Sequence, residues 1–177
     1  FLATQRYPGG VLIDLPYEDM RGKVAATRAA LESGAPAIFE ASFMEDDVFV
    51  AVDILERLEG GFRLIEVKAS NSVKEKFIPD GAIQTHVLRR AGLDVQEVVL
   101  MRLDKEYRHP GPGDLFVLED ITEDVGAFLP EVPGMIAEQL ALLAGPDPGD
   151  CFGERCAKAD GCPFDERCWP QAPDHVL

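Results

Sequence analysis

The chain has 177 residues, of which 46% are hydrophobic, and a formal net charge of −15. That length and apolar content predict one domain with at most a small appendage and a real core. No run approaches the roughly 20 apolar residues of a membrane span, and so negative a chain argues against tight non-specific binding to nucleic acid, where phosphate neutralisation drives affinity.

Tyr7-Pro8-Gly9-Gly10 reads as a turn and Val11-Leu12-Ile13 as a short extended piece. A helix is expected from Pro16, with Glu18 and Asp19 in its first turn and Met20, Val24, Thr27, Ala30 and Leu31 on its apolar line, ending at Ser33-Gly34. Three strands follow: 37–43, 48–55 and 62–68. The first two are joined by the turn Glu45-Asp46-Asp47, the last two by Glu59-Gly60-Gly61. An irregular loop with Lys74 and Lys76 leads to a helix over about 80–91, with Asp80 as its N-cap or, as the alternative, a site ligand, and Gly92 closing it. A strand over 95–103, a Pro/Gly-rich loop, a short strand over 115–118 and a helical region capped by Thr122 and reaching Leu143, interrupted at Pro130 and Pro133, complete the core. The order predicts an α/β sandwich with a mixed central sheet flanked by helices. Gly145 to Gly149 reads as a hinge, so residues 1–145 form the expected core and 146–177 a cysteine-rich tail.

The chemistry concentrates at Asp53 and at Glu66-Val67-Lys68, on neighbouring strands. Adjacent antiparallel strands bring the two carboxylates side by side. Alternation puts Lys68 on the face of Glu66. Two hard oxygen ligands beside an ammonium suit metal-assisted phosphodiester hydrolysis: the carboxylates hold Mg²⁺ or Mn²⁺ and the lysine orients the attacking water. The plain alternative is surface charge at strand ends, but Glu66 lies between Ile65 and Val67, where an unpaired carboxylate is costly. Lys68 equally suits a simple salt bridge to Glu66. Glu40, one strand earlier, is either a further ligand or an edge charge. Tyr107 and Arg108 are candidate contacts to a substrate backbone. His86 and His109 read as ordinary polar positions. The negative overall charge does not exclude such a site, because a metal inverts the local field and Lys68, Lys74, Lys76, Arg89 and Arg90 fall in one stretch.

All four cysteines lie in the tail, spaced C-x4-C-x5-C-x5-C from Cys151 through Cys156 and Cys162 to Cys168. Clustering of this kind marks a local metal site or disulfide pair. Disulfides lack any secretory cue to support them. Spacing alone does not separate a zinc site from an iron–sulfur cluster.

The element order, with Asp53 and Glu66-Val67-Lys68 on adjacent strands and Asp80-Gly81-Ala82-Ile83-Gln84 on the next helix, resembles the PD-(D/E)XK nuclease superfamily, RecB-like branch. The resemblance implies a restriction-endonuclease-like core and a glutamine, Gln84, facing the active site. The branch often continues Q-x-x-x-Y; here Leu88 stands where the tyrosine falls. Cys156, Cys162 and Cys168 fit the terminal triplet of the iron–sulfur members, whose fourth ligand lies upstream of the core. In this chain that ligand is Cys151 or a residue before Phe1. The whole chain looks most like a bacterial family of this type.

The resemblance implies a metal-dependent DNA nuclease. Asp53, Glu66 and the Val67 backbone carbonyl would bind Mg²⁺ or Mn²⁺, Lys68 and Gln84 would position water and phosphate, and a 4Fe–4S cluster (or, alternatively, Zn²⁺) would hold the tail. Expected partners are DNA, as single strands or duplex ends, and further domains of a longer chain, with no membrane and a cytoplasmic location. The rival expectations are a non-catalytic scaffold of the same fold and a zinc-stabilised interaction module.

Overall fold

The computed structural model describes residues 2–70, 72, 76–146 and 165–168. Strands β1 (Val11–Leu12), β2 (Ala37–Glu45), β3 (Val48–Arg57), β4 (Phe62–Lys68), β5 (Val95–Leu103) and β6 (Phe116–Asp120) form one six-stranded sheet in chain order. The pairs β2–β3, β3–β4 and β5–β6 are antiparallel, whereas β1–β2 and β4–β5 are parallel. Parallel neighbours need a crossover, and both crossovers are helical: α1 (Met20–Glu32) between β1 and β2, and α2 (Phe77–Arg90) between β4 and β5. The chain is therefore α/β, with a mixed sheet flanked by helices.

The antiparallel joints follow from their turn residues. Asp46 and Asp47 have φ of 50° and 63°, both left-handed, as a two-residue hairpin requires. At Gly61 a Cβ would lie 2.5 Å from the Asp94 carbonyl oxygen, so the turn into β4 admits only glycine.

Three helix starts differ from expectation. Asp19 lies before α1 rather than in its first turn, because its carboxylate accepts the Gly22 N–H at 2.9 Å and so serves as the N-cap. Asp80 is not an N-cap. α2 already begins at Phe77, whose ring is buried and pulls the first turn inward, and Pro79 falls where a helix needs no N–H. Thr122 opens α3 (Thr122–Phe128) but does not cap it; its hydroxyl accepts the Val98 N–H at 2.9 Å and ties the helix to β5.

One face of the sheet buries Ala37, Phe39, Ile54, Ile65, Val99 and Met101 against Ala3 of an N-terminal 3-10 turn (Ala3–Arg6). The other face, carrying Leu55, Leu64, Val98 and Leu100, lies under α2 and α3. α2 approaches closely at Gly81, where a Cβ would sit 3.3 Å from Val125 of α3 and 3.4 Å from Val98 of β5. Ile65 is fully buried at the centre. Ile65→Ala should cost about 2–5 kcal/mol, read as a lower urea midpoint at an unchanged denaturant slope.

α3 continues through a 3-10 turn (Leu129–Glu131) into α4 (Val132–Ala144). Contacts divide the chain into Phe1–Pro133 and Gly134–Leu177, ahead of the hinge at Gly145. The helical run Thr122–Ala144 has 23 residues, and an 18-residue window within it has a mean hydropathy of 1.2, long and apolar enough by length and composition alone to cross a bilayer. The sequence predicts interruptions at Pro130 and Pro133; both fall in first turns, where proline continues a helix. Of the tail cysteines, Cys168 lies on the short helix α5 (Asp165–Cys168), and Cys151, Cys156 and Cys162 fall outside the described residues.

Candidate functional site

Register brings three acids level across three strands. Phe39↔Ile54 and Ala41↔Val52 place Glu40 opposite Asp53. One step beyond the pair Ile54↔Ile65, Asp53 meets Glu66. Paired residues share a face, and alternation adds Lys68 to it. This is the helix-covered face, since Leu55 and Leu64, the next pair along it, lie under α2.

α2 supplies the opposite wall. Asp80 and Gln84 are one helical turn apart and both reach the sheet. Gln84 Nε2 donates to Glu66 Oε2 at 3.0 Å and to Asp80 Oδ1 at 3.2 Å. Lys68 Nζ donates to Asp80 Oδ2 at 3.0 Å and to Glu66 Oε1 in a shorter bond. The Lys68 ammonium also stands 5.4 Å from the centre of the Phe77 ring, a cation–π contact. Asp53 Oδ2 accepts the Val67 N–H at 2.7 Å, taking the place of a ladder bond where β3 and β4 part. Asp53, Glu66, Lys68 and Gln84 are thus brought together as the sequence suggests. Val67 takes part through its N–H, whereas the expectation concerns its carbonyl. Asp80, expected as a cap with a place in the site as the alternative, is an acceptor that holds Lys68 and Gln84. The i, i+4 spacing of Asp80 and Gln84 is the signal in the sequence that points to this role.

The site is short of positive charge. Burial raises the Asp53 pKa; the Val67 N–H offsets part of this, while Glu40 and Asp80 add to the rise and Lys68 opposes it. Burial also raises the Glu66 pKa, and Asp53 adds to it, against the hydrogen bonds from Lys68 and Gln84. For Lys68 burial favours the neutral amine, but hydrogen bonds and attraction from Glu66 and Asp80 outweigh it and raise its pKa. Two buried acids that hold protons too tightly are an environment a cation would relieve.

The donor set fits a hard divalent ion: carboxylate oxygens from Asp53 and Glu66, with Gln84 Oε1 buried and unpartnered beside them. Among the described residues, no three His, Cys, Asp or Glu side chains already converge as a metal cage. Lys68 bridges Glu66 and Asp80 directly.

Glu40 adds backbone strain. Its φ is 57°, in the left-handed region that glutamate rarely adopts, and it lies inside a strand. Such outliers cost about 1–3 kcal/mol and cluster at functional sites. Glu40→Gly should therefore stabilise the fold by roughly 1 kcal/mol, measured by thermal melting. Glu40→Gln, which keeps the strain and removes the charge, should not gain that increment.

Tyr107 is not part of this site. It lies in the 104–115 loop and lines a separate pocket with Phe116 and Leu2, against the opposite face of the sheet.

No protein-family profile matches the chain, and no curated protein does. A solved structure described as the crystal structure of SSO0001 aligns with 89% of this chain and 74% of its own, at 16% identity and a TM-score of 0.40.

Proposed function

We propose that this chain is a divalent-metal-dependent nuclease with a PD-(D/E)XK-type core of the RecB-like branch, acting on DNA as single strands or duplex ends. The observation that carries the reading is the network of Glu66, Lys68, Asp80 and Gln84 beside Asp53 on one covered face, with both inner acids holding their protons too tightly. Asp53 and Glu66 would hold Mg²⁺ or Mn²⁺. When bound, the ion supplies Lewis acidity and lowers the pKa of attacking water. Lys68, kept charged by two acids, would face the phosphate or its water as a donor. Asp80 acts as a positioning residue, holding Lys68 and Gln84. The cysteines from Cys151 to Cys168 would hold a 4Fe–4S cluster, with Zn²⁺ as the alternative, fixing the tail without a part in the chemistry.

The test is cleavage of end-labelled single-stranded and duplex DNA with Mn²⁺, together with calorimetric Mn²⁺ titration. Uptake of Mn²⁺ and cleavage, both lost in Glu66→Gln, support the proposal. Cleavage that persists undiminished in Glu66→Gln defeats it.

One observation favours a second reading. The Lys68 ammonium already pairs with both Glu66 and Asp80, so these three side chains form an ion network without any metal. With a net charge of −15, that describes a non-catalytic domain of the same fold. It predicts no Mn²⁺ uptake at Asp53 and Glu66.

A further inference from the structure

A pocket of about 510 Å³ opens on the sheet face away from Asp53 and Glu66, between the N-terminal 3-10 turn and the 104–115 loop. Its volume falls in the range of small-molecule sites, and its composition follows their pattern of apolar walls with a few polar groups. Leu2 and Phe116 supply apolar walls and Tyr107 an aromatic face. Arg6 and Asp114 form an ion pair across it, so the one arginine among the described residues lining the pocket is already neutralised. Gln5 contributes an exposed side-chain amide with no partner among the described residues, offering a donor and an acceptor on one planar edge.

These features select a ligand. With Arg6 paired to Asp114 the pocket carries no fixed net charge to draw an anion, His109 in its wall lies 3.4 Å from the Tyr107 hydroxyl, and an aliphatic ligand would leave the Gln5 edge unused. A neutral, planar group with adjacent donors and acceptors stacks on Tyr107 and pairs with Gln5, as glutamine pairs with a base edge. We propose that this pocket takes a nucleobase, offered either by a free nucleoside or by an unpaired base of a strand. The pocket also lies where a strand would pass. Phe116 pairs with Leu103 at the end of β5, and Lys68 pairs with Arg102 one residue earlier, so active-site lysine and pocket share the same end of the sheet. The strand source rests on the nuclease reading; the nucleoside source does not.

The experiment is titration of the full chain with each of the four deoxynucleosides and with a short single-stranded oligonucleotide, in EDTA so that nothing is cleaved. Binding is read by tyrosine fluorescence and by calorimetry. Tyr107→Ala and Gln5→Leu should each weaken binding about tenfold, and Tyr107→Phe should retain it. Gln5 is exposed and Tyr107 half-buried, and a melting curve for each variant checks the fold. Nucleoside binding with that sensitivity supports the pocket independently of any nuclease activity. Sensitivity confined to the oligonucleotide assigns the base to a strand. No binding by either probe, or binding indifferent to both substitutions, overturns the proposal. Absence of cleavage in the separate Mn²⁺ assay, with nucleoside binding intact, would count against the nuclease reading alone.

Discussion

Lys68→Met should lower DNA cleavage about 10²–10³-fold, the usual cost of removing one preorganised donor from a reacting centre, and should also destabilise the fold. The two effects have one cause. Among the described residues Lys68 is the only cation touching Glu66 and Asp80, and the Glu66 side chain is 11% exposed. Deleting the ammonium leaves an acid that must ionise uncompensated or take up a proton. Breaking such a pair costs on the order of 3 kcal/mol, less here because Asp80 remains half-exposed. Methionine keeps the length and the packing on Phe77, so the loss reports charge rather than a cavity. Lys68→Arg tests geometry. Its planar fork cannot reproduce a point donor set between two acids, and activity should not return. Activity and urea midpoint both unchanged in Lys68→Met would remove Lys68 from the chemistry and the network together.

Asp53→Asn should move stability and activity in opposite directions. The Asp53 pKa is raised in the fold, chiefly by burial. The folded chain therefore binds this proton more tightly than the unfolded chain. The associated stability is fully present below the ordinary carboxylate pKa and is lost as pH rises through the raised folded value. Glu66 behaves alike. Without divalent ions the protein should thus melt at higher temperature in mild acid than at neutral pH, as far as these two groups decide it. The substituted amide cannot ionise, so the variant should lose part of that slope and melt higher than the parent near neutral pH. Mn²⁺ should raise the parent's melting temperature, increasingly as pH rises, because ion and proton compete for the same oxygens. The variant should respond weakly to Mn²⁺ and cleave at least about 100-fold more slowly. A parent melting temperature indifferent to both Mn²⁺ and pH would contradict this account.

Much of this arrangement is legible in the sequence because its signals are local. Alternation along 48–55 and 62–68, with Gly60-Gly61 between, sets two antiparallel strands, and once they pair, Asp53 and Glu66 have no other place to go. The helix carrying Gln84 is legible from its apolar line, but its start is not. Phe77 is drawn into the core and carries the first turn with it, which turns Asp80 from a cap into an acceptor for Lys68. Local propensity has no access to that tertiary pull. Nor can pattern reading find the left-handed backbone of Glu40, since no glycine or asparagine marks it. The place of the Tyr107 loop is hidden for a related reason: it depends on β6 and the N-terminal turn, which meet only in the folded chain.

Gly81 has a reach beyond packing. It stands between the two helix residues that touch Lys68 and Glu66, and the atoms that limit its approach belong to Val125 and Val98. The gap between helix and acids is therefore set from behind, by a methyl-sized clearance remote from solvent. Mg²⁺ holds its oxygens at about 2.0–2.1 Å and Ca²⁺ at about 2.3–2.6 Å. A shim of a few tenths of an ångström at that glycine is on the scale that distinguishes the two ions, so under the proposed metal role of Asp53 and Glu66 the choice of cation would be tunable from a residue that never meets it.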